Sequence, residues 1–236
     1  VDIDKNTLNM SIFELEKKLI KAKKQNKLPK VIVPVHFAGQ PCDMSEIFRL
    51  SKKYNFRIIE DASHALGSKY KNNFTGNCKF SDISVFSFHP VKIVTTGEGG
   101  VATTNNKVLA EKMSMLRTHG INRKKSKFYK ENEGPWHFEQ IFLGLNYRMN
   151  DIEAALGITQ LERLNKFINK RSQIVQIYNR NLKSLPIQFN KLNKDIKSSF
   201  HLYVIQINNK KTNFTQIKLF NFLKKNNIDI NIHYIP

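Results

Sequence analysis

The sequence predicts an α/β fold, a mainly parallel sheet flanked by helices, followed by the start of a smaller C-terminal α/β domain. Three observations carry this. First, Val31 to Phe37 and Phe56 to Asp61 are short apolar runs of strand character, and the stretch from Asp43 to Tyr54 between them has a capped, one-faced helical pattern. Strand, helix and strand within about 30 residues form a βαβ unit, whose strands lie parallel because the crossover helix carries the chain back. Second, Ile83 to Phe88 adds a strand stopped by Pro90. Third, polar residues capable of chemistry follow each strand, where open parallel sheets place their sites.

Taken in order, Ser11-Ile12-Phe13-Glu14 has the form of a capping box, and Phe13, Leu15, Leu19 and Ile20 continue at near-helical spacing. The first strand leads into Gly39 and Pro41. Asp43 and Glu46 open the next helix, with Ile47, Leu50 and Tyr54 on its buried face. Gly100 to Thr104 reads as a further strand, and Lys107 to Leu116 as a helix with Val108, Leu109, Met113 and Leu116 on one face. Thr118 to Leu145 is polar, a length of loop that is usually functional or a subunit contact. From Asn150-Asp151, apolar residues run at helical spacing through Ile152, Leu164, Ile168 and Ile177, which predicts one helix of about 30 residues bridging two lobes. A strand at Phe200 to Ile207, a helix at Phe214 to Lys225 and a strand at Ile228 to Ile232 begin the second lobe.

Composition narrows the classes of function. The 236 residues hold 39 Lys and Arg against 19 Asp and Glu, a net charge of +20. The lysines are spread through the polar segments, and the two clusters, Arg123 to Lys127 and Lys166 to Arg171, are not interleaved with the aromatics of a base-stacking surface. A solvated basic surface is therefore preferred to a nucleic-acid site, and it would steer anionic small molecules. No apolar run reaches the ~18 to 20 residues of a membrane span, and no leader pattern opens the chain, so no membrane partner and a cytoplasmic location are expected. Cys42 and Cys78 have neither metal-ligand nor disulfide spacing and read as structural thiols in a reducing compartment.

Ser87-Phe88-His89-Pro90-Val91-Lys92-Ile93-Val94-Thr95-Thr96-Gly97-Glu98-Gly99-Gly100 is the most informative stretch. Lys92 sits between Val91 and Ile93, so its amine is a candidate for partial desolvation, which lowers its pKa and frees it to attack a carbonyl. If the carbonyl is that of pyridoxal 5'-phosphate, three further groups are required: an acid for the ring nitrogen, donors for the phosphate and a group near the phenolic oxygen. Asp61, Ser87 and His64 are placed for these roles. Singly, each reads as a turn, a surface or a cap residue; the joint arrangement lifts the hypothesis.

Four segments carry a family resemblance. Pro34-Val35-His36-Phe37-Ala38-Gly39-Gln40-Pro41-Cys42-Asp43-Met44, Glu60-Asp61-Ala62-Ser63-His64-Ala65-Leu66-Gly67, Ser87 to Gly100 and Gly144-Leu145-Asn146-Tyr147-Arg148-Met149-Asn150-Asp151 resemble, in order, the signatures of DegT/DnrJ-type sugar aminotransferases. His233-Tyr234-Ile235-Pro236 is similar to a later one, and the wording from Ser87 to Lys92 is closest to members acting in pseudaminic acid biosynthesis. The resemblance implies the fold type I aminotransferase architecture, with residues 1–162 as a pyridoxal-phosphate-binding large domain lacking its N-terminal part and 163–236 as a truncated small C-terminal domain. It implies a homodimer with active sites at the interface. By likeness, Lys92 and Asp61 are catalytic; Lys92, Asp61, His64, Ser87 and Asn146 bind the cofactor, Asn146 across the dimer; His233 and Tyr234 line the sugar site. His64 stands where many members carry Gln. L-Glutamate as amino donor and a UDP-linked 4-keto-6-deoxy amino sugar as acceptor also follow from the resemblance, and a chain without both ends is expected to be poorly active.

Other classes of function fit the residues less well. A metal hydrolase would use His36, Asp61, His64 and His89, but the spacing from Asp61 to His64 is a weak signal and Lys92 opposes a cation. Gly97 to Gly100 lacks both phosphate-loop patterns and reads as a tight turn. A sugar dehydratase of the same family carries His in place of the lysine, so Lys92 favours transamination. A basic binding module is the non-enzymatic alternative.

Overall fold

The computed structural model describes residues 1–123, 131 and 133–233. In chain order these form α1 (Ile12–Lys24), β1 (Val31–Ile32), a single 3-10 turn at Phe37–Gly39, α2 (Met44–Tyr54), β2 (Arg57–Asp61), β3 (Lys69–Tyr70), β4 (Asn73–Phe74), β5 (Ile83–Ser87), β6 (Gly100–Thr103), α3 (Lys107–Leu116), β7 (Ile121–Asn122) and β8 (Glu139–Gln140). There follow α4 (Asp151–Glu162), α5 (Leu164–Asn181), β9 (Ile187–Phe189), β10 (Ile196–Lys197), β11 (Ile205–Ile207) and α6 (Gln216–Lys225).

The central sheet has the order β1-β2-β5-β6. β1 and β2 pair in parallel, as do β2 and β5, whereas β6 joins antiparallel with Ser87 opposite Gly100. The expected mainly parallel sheet is therefore present, with an antiparallel edge made by the short return from Ser87 to Gly100, too short for the crossover that a parallel pair needs. The first strand is shorter than predicted: after Ile32 it leaves the ladder and touches β2 again only at the Val35–Asp61 bridge. Pro34, which has no N–H to donate, lies in that gap.

Helices α1 and α2 cover one face of this sheet. Ser11 caps α1 by accepting the Glu14 N–H, and Asp43 caps α2 by accepting the Glu46 N–H. Leu15, Leu19, Ile47, Leu50 and Tyr54 pack with Ile32, Phe56 and Ile58 into one buried cluster. Phe13 and Ile20 are exposed, and Leu15, Leu19 and the partly buried Ile12 are the α1 residues packed into this cluster. A second cluster, Ala62, Ala65, Phe86, Phe88 and Val94 with Leu66, Met149 and Leu164 against it, lies directly beneath the Lys92 loop.

The predicted single long helix is two. α4 and α5 are separated at Arg163, and the step sets Leu164 and Ile168 against Gly67, where a Cβ would lie 2.4 Å from Ile168 Cδ1. The capping box at the start of α4 is complete: Asn150 accepts the Glu153 N–H while the Glu153 carboxylate accepts the Asn150 N–H. α3 occupies the predicted span, yet none of its residues is buried. In the last third only Ile205–Ile207 of the predicted strand forms, paired with β9, and residues 228–232 form no strand among the described residues. No helix of the described residues is long and apolar enough to cross a membrane.

Candidate active site

Beyond the carboxyl end of β5 the chain turns sharply and returns as β6, and Lys92 lies in this turn. The loop is pinned to one residue: the N–H of Phe88 donates to Gly99 O (2.9 Å), while Phe88 O accepts from the Thr96 N–H (3.0 Å) and Thr95 Oγ1 (2.9 Å). The Lys92 N–H donates to His89 O (2.9 Å), closing a turn around Pro90. From outside, α4 clamps the loop. A Cβ at Gly157 would meet Thr96 Cγ2 at 2.8 Å, so only glycine allows this helix to approach so closely. Burial lowers the pKa of the Lys92 amine, with the Asp61 carboxylate opposing the shift.

Asp61 ends β2. Its backbone is held from both sides, by its N–H to Pro34 O (2.9 Å) and by the His36 N–H to its O (3.0 Å), and its carboxylate accepts the Ser63 N–H (3.1 Å). His64, one short turn further, has its pKa lowered to about 4 by burial and by the Lys92 charge, with Asp61 pulling the other way and His233 adding to the depression. Its Nδ1 accepts the Ala38 N–H (3.4 Å). Phe37 stands between the two histidines, its ring centroid 6.1 Å from His64 and 6.0 Å from His233. Lys92, Asp61 and His233 are therefore all near enough to His64 for their charges to act on it.

The other predicted residues fall differently. Ser87 is the last residue of β5, half-buried, and its Oγ accepts the His89 N–H (3.3 Å). Asn146 is exposed and pairs through its backbone with Thr118, with no contact to Lys92, Asp61 or His64 among the described residues. Tyr234 lies outside the described residues, as does most of the Arg123 to Lys127 cluster. His36, expected with the reactive groups, is turned away and fully buried, with Nε2 2.7 Å from Glu60 Oε2. Burial opposes a charge on its ring and Glu60 favours one. The Cys42 N–H aimed at His36 Nδ1 (3.1 Å) leaves that nitrogen an acceptor, so the ring's proton lies on Nε2, toward Glu60. His89 is exposed, 3.9 Å from Glu98. Among the described residues no three His, Cys, Asp or Glu side chains are grouped to hold a metal ion.

The segment Ser198-Ser199-Phe200-His201 joins the site from far along the chain and is not legible as part of it in the sequence. It returns from the C-terminal part and is stitched to the 3-10 turn: Ser198 Oγ donates to Gly39 O (2.9 Å), the Ser199 N–H to Ser68 Oγ (3.0 Å) and Ser199 Oγ to His64 O (3.2 Å). Arg171 of α5 donates to the carbonyls of Phe200 (3.1 Å) and His201 (3.0 Å). His201 thereby lies against His64, ring centroids 4.3 Å apart. Two serines and a histidine immediately before an apolar run were the only available signal.

A primary amine made less basic by burial, a carboxylate next to it and a neutral imidazole match the needs of a cofactor with a reactive carbonyl and a basic ring nitrogen. Gathered beyond the carboxyl ends of a mainly parallel sheet, they place the chain in the class of fold type I pyridoxal-phosphate proteins. The chain belongs to the DegT/DnrJ/EryC1/StrS aminotransferase family, whose model matches residues 1–236. It is 39% identical over 242 residues to the UDP-4-amino-4,6-dideoxy-N-acetyl-beta-L-altrosamine transaminase of Campylobacter jejuni subsp. jejuni serotype O:2, covering 100% of this chain and 59% of that protein. Helicobacter pylori PseC, an aminotransferase involved in the biosynthesis of pseudoaminic acid, matches with a TM-score of 0.84 and 36% identity over 100% of this chain and 59% of that one. The sugar aminotransferase Spr1654 of Streptococcus pneumoniae in its PLP-form matches with a TM-score of 0.80 and 29% identity over 99% of this chain and 60% of that one. The chain thus spans about 59% of the length of the curated relatives it matches.

Proposed function

We propose that this chain carries the cofactor site of a transaminase that moves an amino group from L-glutamate to C4 of a UDP-linked 4-keto-6-deoxy amino sugar, in surface-polysaccharide or flagellin-glycan biosynthesis of the pseudaminic acid type. The observation that carries the reading is Lys92, an amine depressed by burial and facing Asp61 at the carboxyl ends of β2 and β5. The sugar and the donor rest on likeness to the relatives named above, and the unpaired Cys42 and Cys78 accord with a reducing, cytoplasmic setting.

Pyridoxal phosphate, when bound, supplies an electron sink conjugated to the carbon that exchanges its amino group. Lys92 Nζ would hold the cofactor through its carbonyl carbon and would serve as the base that moves a proton during the transfer, a role its lowered pKa favours. The Asp61 carboxylate would hold a proton on the ring nitrogen. Ser87 Oγ would donate to the phosphate, and Asn146, exposed in the single chain, would reach the phosphate site of a second copy. His64 would lie on the side of the phenolic oxygen. His233 and Tyr234 would line the sugar side. The units 1–162 and 163–236 then act as cofactor-binding and substrate-closing parts of a homodimer.

The test is reductive trapping followed by assay. Borohydride added after pyridoxal phosphate should fix one cofactor on Lys92, read by peptide mass, and the full-length protein should transfer nitrogen from L-glutamate to a 4-keto nucleotide sugar. Absence of trapping at Lys92 would refute the cofactor site; trapping without transfer to any 4-keto sugar in a panel would refute the substrate.

A further inference from the structure

The turn that carries Ala38 is strained, and its two sides are held differently. Ala38 has φ 58° and ψ 12°, left-handed backbone that a residue with a Cβ rarely adopts, and Gly39 follows at φ +91°. Such a turn persists only where its surroundings over-determine it. Its far side is fixed by the serine strap: Gly39 O accepts Ser68 Oγ (2.6 Å), Ser198 Oγ (2.9 Å) and the Ser199 N–H (3.2 Å). At its entry the backbone gives less. There His36 makes an inverse γ-turn (φ −83°, ψ 72°), in which the Phe37 N–H reaches back only two residues, to Val35 O.

Asn9 supplies what that entry lacks. It is buried ahead of α1, and all of its side-chain bonds go to residues 37–41: Oδ1 accepts the Phe37 N–H (3.0 Å), and Nδ2 donates to Gln40 O (2.8 Å) and Pro41 O (3.2 Å). The carboxamide can face only one way, since the opposite assignment would set its oxygen against two carbonyls. It therefore grips the chain just before and just after the left-handed pair. The amide next to that of Phe37 belongs to Ala38, and it donates to His64 Nδ1 (3.4 Å), the only hydrogen bond to the His64 ring among the described residues. A nitrogen that accepts this bond carries no proton, so the neutral ring holds its proton on Nε2.

We propose that Asn9 is a positioning residue: by clamping the 37–40 turn in its left-handed form it holds the Ala38 N–H on His64 Nδ1, and so sets His64 as the Nε2–H tautomer. Asn9 has no hydrogen bond to His64 itself; it acts through the turn. Without the clamp the entry relaxes from the left-handed strain, the Ala38 amide swings off Nδ1, and nothing selects between the two ring nitrogens. The tautomer is a property of the chain alone and stands whether or not the cofactor reading does. Where that reading holds, the tautomer makes His64 a hydrogen-bond donor, as an anionic phenolic oxygen requires.

The experiment reads the tautomer without cofactor. The chain, its seven histidines labelled at the ring nitrogens, is followed by long-range proton–nitrogen correlation at neutral pH, where burial keeps His64 uncharged, and His64→Gln identifies the signal. Asn9→Ala removes all three bonds, and Asn9→Ser leaves an oxygen a full bond length short of each partner. Leu19→Ala opens the cluster between α1 and α2 and removes no bond of the turn, so it reports what loss of stability alone does. The parent and Leu19→Ala should show a single Nε2–H pattern for His64, and both Asn9 variants a mixture of the two tautomers. A single pattern in a folded Asn9 variant, or a mixture in Leu19→Ala, overturns the proposal. So does outright unfolding of both Asn9 variants, which would make Asn9 a residue of the fold as a whole. Trapping at Lys92 is measured separately, so failure of the cofactor reading leaves this result standing.

Discussion

Glu60 and His36 form a buried pair, Oε2 to Nε2 at 2.7 Å, one residue before Asp61 on β2. Glu60 also accepts from Ser81. Burial opposes its ionisation, yet His36 and Ser81 together hold its pKa below the usual carboxylate range. The pair ties the loop after β1 to the strand that ends in Asp61. Removing the imidazole should cost the buried carboxylate one of its hydrogen bonds, so His36→Leu should lower stability by about 1.5 to 3 kcal/mol. Glu60→Gln keeps an acceptor for His36 and should cost about 1 kcal/mol. Denaturant unfolding of both variants checks the difference; equal losses would sink the account.

Gly39 has a φ of +91°, and a Cβ there would lie 2.7 Å from Ser199 Oγ, 2.9 Å from His201 N and 3.0 Å from His64 O. Any side chain pushes the serine strap away from the pocket and also pays the left-handed backbone penalty. Gly39→Ala should lose about 2 to 4 kcal/mol, the sum of a strained backbone and a close backbone contact. A Gly39→Ala chain with unchanged melting would contradict this packing.

The parts of the fold legible in the sequence are those set by local chemistry. The caps Ser11, Asp43 and Asn150, the apolar face of α2 and the strand runs of β2 and β5 all announce themselves within a few residues. Lys92, Asp61 and His64 follow from strand ends. The missed features depend on contacts distant in sequence. β3 pairs with β10 across more than 120 residues, two residues at a time, which no local pattern encodes. Ser199 meets Ser68, and His201 meets His64, from the far end of the chain. His36 departs from expectation for the same reason: its position near a strand end fits a site, and its contacts with Glu60 and Cys42 turn its ring inward.

Acid should weaken the chain earlier than its carboxylates alone would. Folded, His64 and His201 protonate at about 4 and about 3, against an ordinary value of 6.5. Between 6.5 and about 4 the unfolded chain therefore binds more protons than the folded one, and stability falls as the pH is lowered through that window. Burial is the main cause for both, with Lys92 adding to each and His64 lowering His201 further. The melting temperature should decline from pH 6.5 to 4, less steeply in His201→Phe. A flat profile over that range would show that the rings are not held neutral by the fold.

Lys92 and Asp61 should separate binding from turnover. Lys92→Ala should abolish the borohydride-fixed adduct on the 87–100 peptide, because it removes the amine that would meet the cofactor carbonyl there. Asp61→Asn should still be trapped, but without a carboxylate to hold the ring proton the full-length protein should lose at least about 10²-fold in transfer rate. Peptide mass and a stopped assay read the two effects. Normal transfer by Asp61→Asn would remove the acid from the mechanism.

Subunit association should depend on the segment that leads into α4. Leu143 is 94% exposed and Ile152 85%, with Leu145, Tyr147 and Trp136 also exposed, and a monomer rarely leaves so many large apolar side chains together in water. The same segment carries Asn146, the residue assigned to a neighbouring phosphate site. If a second copy covers this face, Ile152→Glu places a charge in the interface without disturbing a core, because Ile152 supports no packing within its own chain. Sedimentation should then show the parent as a dimer and Ile152→Glu as a monomer of unchanged melting behaviour at low concentration. Cofactor retention should weaken with it, since each site loses the Asn146 of its neighbour; a monomeric Ile152→Glu that keeps the cofactor as tightly as the parent would show that each chain completes its own phosphate site.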